Sequence, residues 1–246
     1  MRKILVSLIL LWTFLSQTFA LDANEILAKV DEHRAVGPSF NFTLKIDDYE
    51  QGKISQSALM SGSAKGESKT FVKYDEPANM RGKKLLMVGD DLFVFIPKTQ
   101  RPVRLTPSQR LIGQASNGDV MNVRFQADYT PSFTGEESVQ TQTGNVSCFV
   151  LELTAKRRSS PYNKMILWVD ASNNFPVKAD CYALSGKILK TVEYSTIKEF
   201  SGKKIISKAI LYDKIVKDNY TIIEFMDMVE CNVPDQFFNK EYLLRM

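Results

Sequence analysis

The chain has 246 residues, of which 44% are hydrophobic and 24% are charged, and its formal net charge is +4. This composition is typical of a globular protein that is long enough to bury a sizeable core without disulfides or metal ions. Charges of both signs are interspersed along the sequence, so no basic stripe indicates nucleic-acid binding. The single histidine, His33, excludes metal sites that need several histidines.

The first twenty residues have the pattern of a secretory signal peptide. Arg2 and Lys3 precede an uncharged apolar run from Ile4 to Phe14, and the small residue Ala20 follows. We therefore expect cleavage near Ala20, export, and a mature chain of residues 21–246 that forms one domain. An uncleaved anchor is the alternative, but the apolar run is shorter than the ~20 residues of a spanning helix.

The segment from Asp22 to Arg34 is predicted to be an amphipathic helix. Asp22 is a suitable N-cap, and Ile26, Leu27 and Val30 recur at helical spacing. His33 lies near the end of this helix, where a solvated helix-end residue is expected rather than a metal ligand or a base.

From Phe40 onward the hydrophobic period changes from 3.6 to 2, which is typical of half-buried strands. Short turn sequences separate these segments, so consecutive strands must run antiparallel, and about eleven or twelve strands are expected. The segments with this pattern are Phe40–Asp47, Ile54–Met60, Thr70–Tyr74, Lys84–Val88, Leu92–Ile96, Val103–Leu105, Glu137–Thr141, Val146–Ala155, Asn163–Asp170, Val177–Leu184, Lys187–Glu193, Lys204–Tyr212 and Tyr220–Val229.

One long stretch, Thr106 to Thr134, interrupts the strands and is interpreted as one or two short helices with loops. Connections of this length are often functional lids. The number of strands predicts a mainly β fold, and a sheet of this many strands must curl. Its architecture would be a large curved antiparallel sheet, an unclosed half-barrel, with helices covering the concave face. A transmembrane barrel is disfavoured because the polar faces of the strands carry charges.

The three cysteines are an odd number for an exported protein, so at least one is free or pairs between chains. Cys148 and Cys181 lie in apolar stretches, and small buried hydrophobic side chains are the favoured interpretation. Whether any two of Cys148, Cys181 and Cys231 form a disulfide is left open.

Several segments follow one another in a recognisable order. A Gly-Lys-containing strand begins at Arg81, a strand ends at Ile96-Pro97, and basic residues follow. The segments Tyr162–Asp170 and Phe175–Lys178 come next. In this order the sequence resembles the LolA-like family of outer-membrane lipoprotein-sorting proteins, and the resemblance covers nearly all of residues 22–240. One departure concerns the lid, where the family's Met-Gly-Ser-Asp-aromatic motif has partial counterparts in Gly113 and Asp119 but lacks the aromatic residue.

The resemblance implies a periplasmic carrier with an unclosed barrel, a helical lid and an apolar cavity for acyl chains. Such a carrier would bind the acyl chains of lipoproteins or of membrane lipid, contact membranes transiently, and move its cargo toward the outer membrane. It would be no enzyme and would need no cofactor. An inner-membrane lipid exporter is the partner implied.

The candidate cavity residues are apolar side chains on the predicted helix, strands and lid, and a set of them rather than any single one is expected to form the cavity. The basic residues Lys98, Arg101 and Arg104 would either meet phosphate headgroups at the rim or solubilise an edge strand. The candidate cavity residues are Ile26, Leu27, Val30, Phe40, Phe42, Leu44, Phe93, Phe95, Leu111, Ile112, Phe149, Leu151, Leu153, Met165, Leu167 and Val169.

No motif indicates catalysis. The Ser-x-x-Lys matches at Ser195 and Ser201 lack the companion motifs of a penicillin-binding site and fall at the ends of predicted strands. We therefore expect no catalytic residue and no metal site. The alternative to a carrier is a non-enzymatic periplasmic module that docks a membrane transporter or a peptide, which would require an exposed apolar patch or a bare sheet edge.

Overall fold

The computed structural model describes residues 22–97, 101–121 and 124–245. The predicted signal peptide and Lys98 lie outside the described residues. In these ranges, no helix is both long and apolar enough to cross a membrane.

Antiparallel strands dominate the fold, and thirteen of them form one sheet. This number equals that of the segments with the strand pattern and exceeds the eleven or twelve strands expected. A separate two-stranded hairpin, β7–β8, lies outside this sheet. The strands are β1 Ser39–Glu50, β2 Lys53–Lys65, β3 Lys69–Glu76, β4 Lys84–Val88, β5 Asp91–Phe95, β6 Val103–Leu105, β7 Arg110–Ile112, β8 Ala115–Ser116, β9 Tyr129–Thr141, β10 Gly144–Ala155, β11 Lys164–Asp170, β12 Pro176–Tyr182, β13 Ile188–Phe200, β14 Lys203–Asp213 and β15 Tyr220–Glu230. The helices are α1 Ala23–Glu32, α2 Asn117–Met121, α3 Phe125–Asp128 and α4 Lys240–Arg245, and a 3-10 turn spans Asp235–Phe238.

The sheet has two free edges and does not close into a barrel. Its strand order is β6-β5-β4-β3-β2-β1-β15-β14-β13-β12-β11-β10-β9, so the first and last strands of the chain pair in the middle. The two edges, β6 and β9, are joined in sequence by residues 106–128, which we call the lid segment. The predicted mainly β fold, with one curved antiparallel sheet that is not closed into a barrel, is confirmed.

The interrupting stretch is shorter than the predicted Thr106 to Thr134 and contains more structure. It holds the β7–β8 hairpin and the short helices α2 and α3, and strand β9 begins at Tyr129. The first half of β9 does not alternate in burial because this strand lies at the edge of the sheet. Pro131 is tolerated there because an edge strand has backbone amides without a partner in the sheet.

Helix α1 follows the prediction closely. Asp22 caps it, and its carboxylate accepts a hydrogen bond from the Asn24 amide at 2.9 Å. The stripe of Ile26, Leu27 and Val30 is buried in the main core, so α1 lies with its apolar face toward the concave side.

The main core lies on the concave side, and two smaller clusters lie outside it. One is formed by Phe71 and Leu86 with the C-terminal residues Val233 and Phe238. The other surrounds Trp168, whose indole donates to Glu137 at 2.8 Å. Several strands therefore bury both faces, which explains continuous apolar runs such as β5.

Candidate functional site: a lidded hollow on the concave face

A small cavity lies between the lid segment and the sheet, with a free volume of about 80 Å³. Its roof includes Val120 and Phe125 from the two lid helices, and Arg34 lies at its border. An engineered cavity of about 150 Å³ admits benzene, so this cavity has no room for an acyl chain. The floor residues from the sheet include Met165, Cys181, Val192, Tyr194, Ile206, Leu211, Ile223 and Phe225.

Most of the predicted cavity residues belong to one cluster on the concave face. Leu111 and Phe149 are partly buried against this cluster, and Met165 is the member that borders the present cavity. The fully buried members are Ile26, Leu27, Val30, Phe40, Phe42, Leu44, Ile112, Leu151, Leu153, Met165, Leu167 and Val169.

The structure does not bring Phe93 and Phe95 to this cluster. On strand β5 the concave positions are Leu92 and Val94, and the two phenylalanines lie on the opposite face. There the ammonium of Lys240 lies 4.3 Å from the Phe93 ring centroid. Because β5 is apolar on both faces, the period-2 pattern could not tell which residues point inward.

The predicted basic rim falls at the edge of the sheet. Arg104 lies on edge strand β6, is exposed, and pairs with Asp91 at 2.5 Å. Arg101 is exposed and lies two residues before this strand. The location of Arg104 fits the alternative in which basic residues keep an edge strand soluble.

A buried ion pair between lid and floor was missed by the sequence analysis. Lys190 of β13 is 5% exposed and contacts the carboxylate of Asp119 in α2 at 2.7 Å. The same lysine donates to the carbonyl of Gln114, and the hydroxyl of Tyr162 donates to Asp119. We call Asp119 and Lys190 the latch pair.

Electrostatics keep the carboxylate of Asp119 charged. Burial alone would raise the pKa of Asp119, but the Lys190 charge and the hydrogen bonds from Lys190, Tyr162 and Ser116 hold it below its usual value. The sequence contains a signal for Lys190 but not for its partner, because Lys190 occupies the same strand phase as the apolar residue Val192.

A second polar contact joins the lid to helix α1. The buried carboxylate of Asp31 accepts hydrogen bonds from the amides of Phe125 at 2.7 Å and Gln126 at 2.9 Å, at the start of α3. The guanidinium of Arg34 lies 3.6 Å from the Phe125 ring centroid. Burial raises the pKa of Asp31, and the Arg34 charge opposes this shift only in part.

A third contact holds the turn of the lid hairpin. The Gln114 amide donates to the Thr221 hydroxyl at 2.7 Å, and its side-chain amide donates to Asp213 at 2.8 Å. Thr221 in turn donates to Asp48 at 2.7 Å. Gly113 has a φ of +52°, and a Cβ there would lie 1.8 Å from the Asp48 carboxylate, so this turn requires glycine.

The histidine and two of the cysteines are packed against other side chains. His33 is half-buried rather than solvated, since its ring stacks on Phe175 with centroids 3.7 Å apart. All three cysteines are free, and Cys148 and Cys181 are buried as expected. Among the described residues, no group of three or more His, Cys, Asp or Glu side chains could hold a metal ion.

Comparison with solved structures identifies the family of this fold. A LolA superfamily protein from Nitrosomonas europaea is 35% identical and superposes with a TM-score of 0.83, and the match covers 89% of this chain and 98% of that one. This chain belongs to the LolA superfamily. The resemblance stated from its motifs is therefore confirmed.

Two further structures share the LolA-like fold at lower identity. A DUF1329 family protein from Desulfovibrio piger is 17% identical, with a TM-score of 0.74 and coverage of 90% of this chain and 98% of that one. An outer membrane lipoprotein-sorting protein domain from Vibrio parahaemolyticus is 20% identical, with a TM-score of 0.72 and coverage of 90% and 97%. A family model described as an uncharacterized protein matches residues 66–245. No curated protein matches the chain.

Proposed function

We propose that this protein is a periplasmic carrier that binds acyl chains of lipoproteins or lipids beneath the lid segment and moves them toward the outer membrane. Membership of the LolA superfamily and the apolar concave face support the proposal. The observation that carries it is the apolar concave face, which the lid segment and helix α1 cover.

The lid segment gives the carrier a moderate affinity. An acyl chain of about fifteen methylenes gains roughly 12 kcal/mol on burial, at about 0.8 kcal/mol for each methylene. Opening the lid exposes Val120, Met121 and Phe125, which are now buried and are worth about 1.5–3 kcal/mol each. If acceptor oxygens of the ligand replace the Asp119 carboxylate beside Lys190, the difference of roughly 3–7.5 kcal/mol corresponds to dissociation constants from about 6 millimolar to about 3 micromolar. This range suits a protein that must release its cargo.

The latch pair makes opening of the lid segment depend on the chemistry of the ligand. When α2 moves outward, Asp119 leaves and Lys190 stays in the floor as a cation beside an apolar hollow. A buried charge without its partner is costly, so the open form favours a ligand that carries acceptor oxygens close to its acyl chain. Ester, amide and phosphate groups of lipids and lipoproteins meet this requirement. The donor we propose is an inner-membrane lipid exporter, on the family resemblance.

The test is binding and extraction of defined probes. Purified protein is titrated with a fluorescent apolar dye, a palmitoylated peptide competes for it, and extraction of labelled phospholipid from vesicles is measured in parallel. We expect saturable displacement and extraction, both increased in Asp119→Asn, whose latch is broken. Asp227→Asn, an exposed carboxylate on β15, is the matched control and should behave like wild type. Absence of dye binding and of extraction in wild type and in Asp119→Asn would overturn the proposal and favour the docking module.

A further inference from the structure

The most exposed large apolar side chains gather at one end of the sheet. Leu184 is 85% exposed in the β12–β13 turn, and Ile215 is 71% exposed in the β14–β15 turn. Ile54, which follows the β1–β2 turn, is 58% exposed. We call these three turns, residues 51–54, 183–187 and 214–219, the apolar tip.

The three turns are neighbours in space. In the sheet order, hairpin β12–β13 lies beside β14–β15, which lies beside β1–β2. Lys190 of β13 is paired with Asp213 of β14, so both turns extend beyond the same level of the sheet. The Gly52 amide donates to the Asp218 carbonyl at 3.3 Å, which joins the other two turns. Adjacent hairpins are about 10 Å apart, so one flat surface can contact all three.

The exposed side chains are held in place by a defined turn. One carboxylate oxygen of Asp213 accepts the amides of Ile215 at 2.7 Å and Val216 at 3.1 Å, which fixes the backbone that presents both side chains to solvent. The other oxygen accepts the side chain of Gln114 from the lid hairpin at 2.8 Å. The apolar tip is thus a built feature that adjoins the lid segment.

Lysine and tyrosine side chains surround the exposed apolar side chains of the apolar tip. Lys214 and Lys217 flank the exposed pair in the β14–β15 turn, and Lys53 and Lys187 are exposed on the neighbouring turns. The exposed acids of the apolar tip and its flanks are Glu50 and Asp218. Lysines therefore outnumber exposed acids at this end. Behind the tip, Tyr49 and Tyr220 stack with centroids 4.6 Å apart, and Tyr212 lies 6.1 Å from Tyr220.

We propose that the apolar tip docks on the surface of an anionic phospholipid bilayer. Aliphatic tips fit the acyl boundary, lysines attract anionic headgroups with their stems in the apolar layer, and tyrosines are enriched at the level of the headgroups. Docking needs no acyl chain in the hollow, so it is independent of the proposed carriage.

The experiment measures co-sedimentation of the purified protein with phosphatidylcholine–phosphatidylglycerol vesicles and with pure phosphatidylcholine vesicles. We expect binding to the anionic vesicles that weakens as salt is raised. Replacing Lys214 and Lys217 together by Gln should lower the partition coefficient about thirtyfold. Ile215→Ser and Leu184→Ser should each lower it about tenfold.

Control variants use exposed residues outside the apolar tip. Ile197, which is 47% exposed in β13, and Lys204, next to the turn at the other end of the sheet, are replaced by Ser and Gln and should leave binding unchanged. Equal binding to both vesicle types, or equal losses in tip and control variants, would overturn the proposal. Binding to a protein partner without binding to vesicles would overturn it as well. None of these outcomes bears on dye binding in the hollow.

Discussion

The latch pair provides the sharpest prediction about the closed state. Asp119→Asn removes the counter-charge of Lys190, which is 5% exposed and 2.7 Å away. Breaking a buried ion pair costs about 3–5 kcal/mol, because the remaining charge is left without compensation. The Gln114 carbonyl still accepts from Lys190, so we expect the lower end, about 3 kcal/mol.

This cost should appear first in the lid segment. Amide exchange across residues 110–121, followed by mass spectrometry, should accelerate by about two orders of magnitude in Asp119→Asn. The double variant Asp119→Asn with Lys190→Met removes both charges and should recover most of the loss, giving a coupling energy above about 1 kcal/mol. Unchanged exchange in the single variant, or additive effects in the cycle, would refute the assignment of Asp119 and Lys190 as a latch.

Three further predictions address the lid turn, acid sensitivity and thiol reactivity. Gly113→Ala should lower the free energy of unfolding by about 2 kcal/mol in urea titrations. Gly66→Ala, also at positive φ but with open space around it, is the control and should lower it by about 1 kcal/mol. Equal losses would contradict a close contact between residue 113 and the Asp48 carboxylate. Since the folded-state pKa of Asp119 lies below its ordinary 3.8, its stabilising contribution is present above pH 3.8 and is lost as pH falls below it. The urea midpoint of wild type should therefore drop between pH 5 and pH 2.5 by more than that of Asp119→Asn, and identical drops would count against this. Burial raises the pKa of Cys148 to about 11, so a maleimide at pH 7 should label the half-exposed Cys231 first. Cys231→Ser should therefore remove the fast phase of labelling. Fast labelling in that variant would show that another thiol is accessible.

The sequence predicts the sheet well because its physics is local. Strict alternation from Phe40 and short turns determine strands, faces and antiparallel order without knowledge of distant contacts. The two strands whose pattern misled the prediction, β9 and β5, also have local causes. The first half of β9 has no alternation, since neither face is regularly buried, and β5 has none because both faces are.

The candidate site was predictable only in its apolar part. Leu151, Leu153 and Leu167 follow from strand phase, and the structure places them in the concave cluster. The latch pair could not be found in this way, because its two residues are 71 positions apart and meet only when the lid segment crosses the opened sheet. Pairing across such a distance depends on topology, which period and spacing do not encode.

The topology also explains why opening of the hollow would leave the main sheet intact. The lid segment joins the two edge strands β6 and β9, and its own hairpin belongs to a separate sheet. Moving it therefore breaks no ladder hydrogen bond among the thirteen strands, whose backbone pairing provides the rigid wall. The lid-to-floor contacts described above are side-chain contacts and apolar burial, and an entering acyl chain can replace the burial. Our hypothesis is that the buried charges of the latch pair select a single closed arrangement of the lid segment.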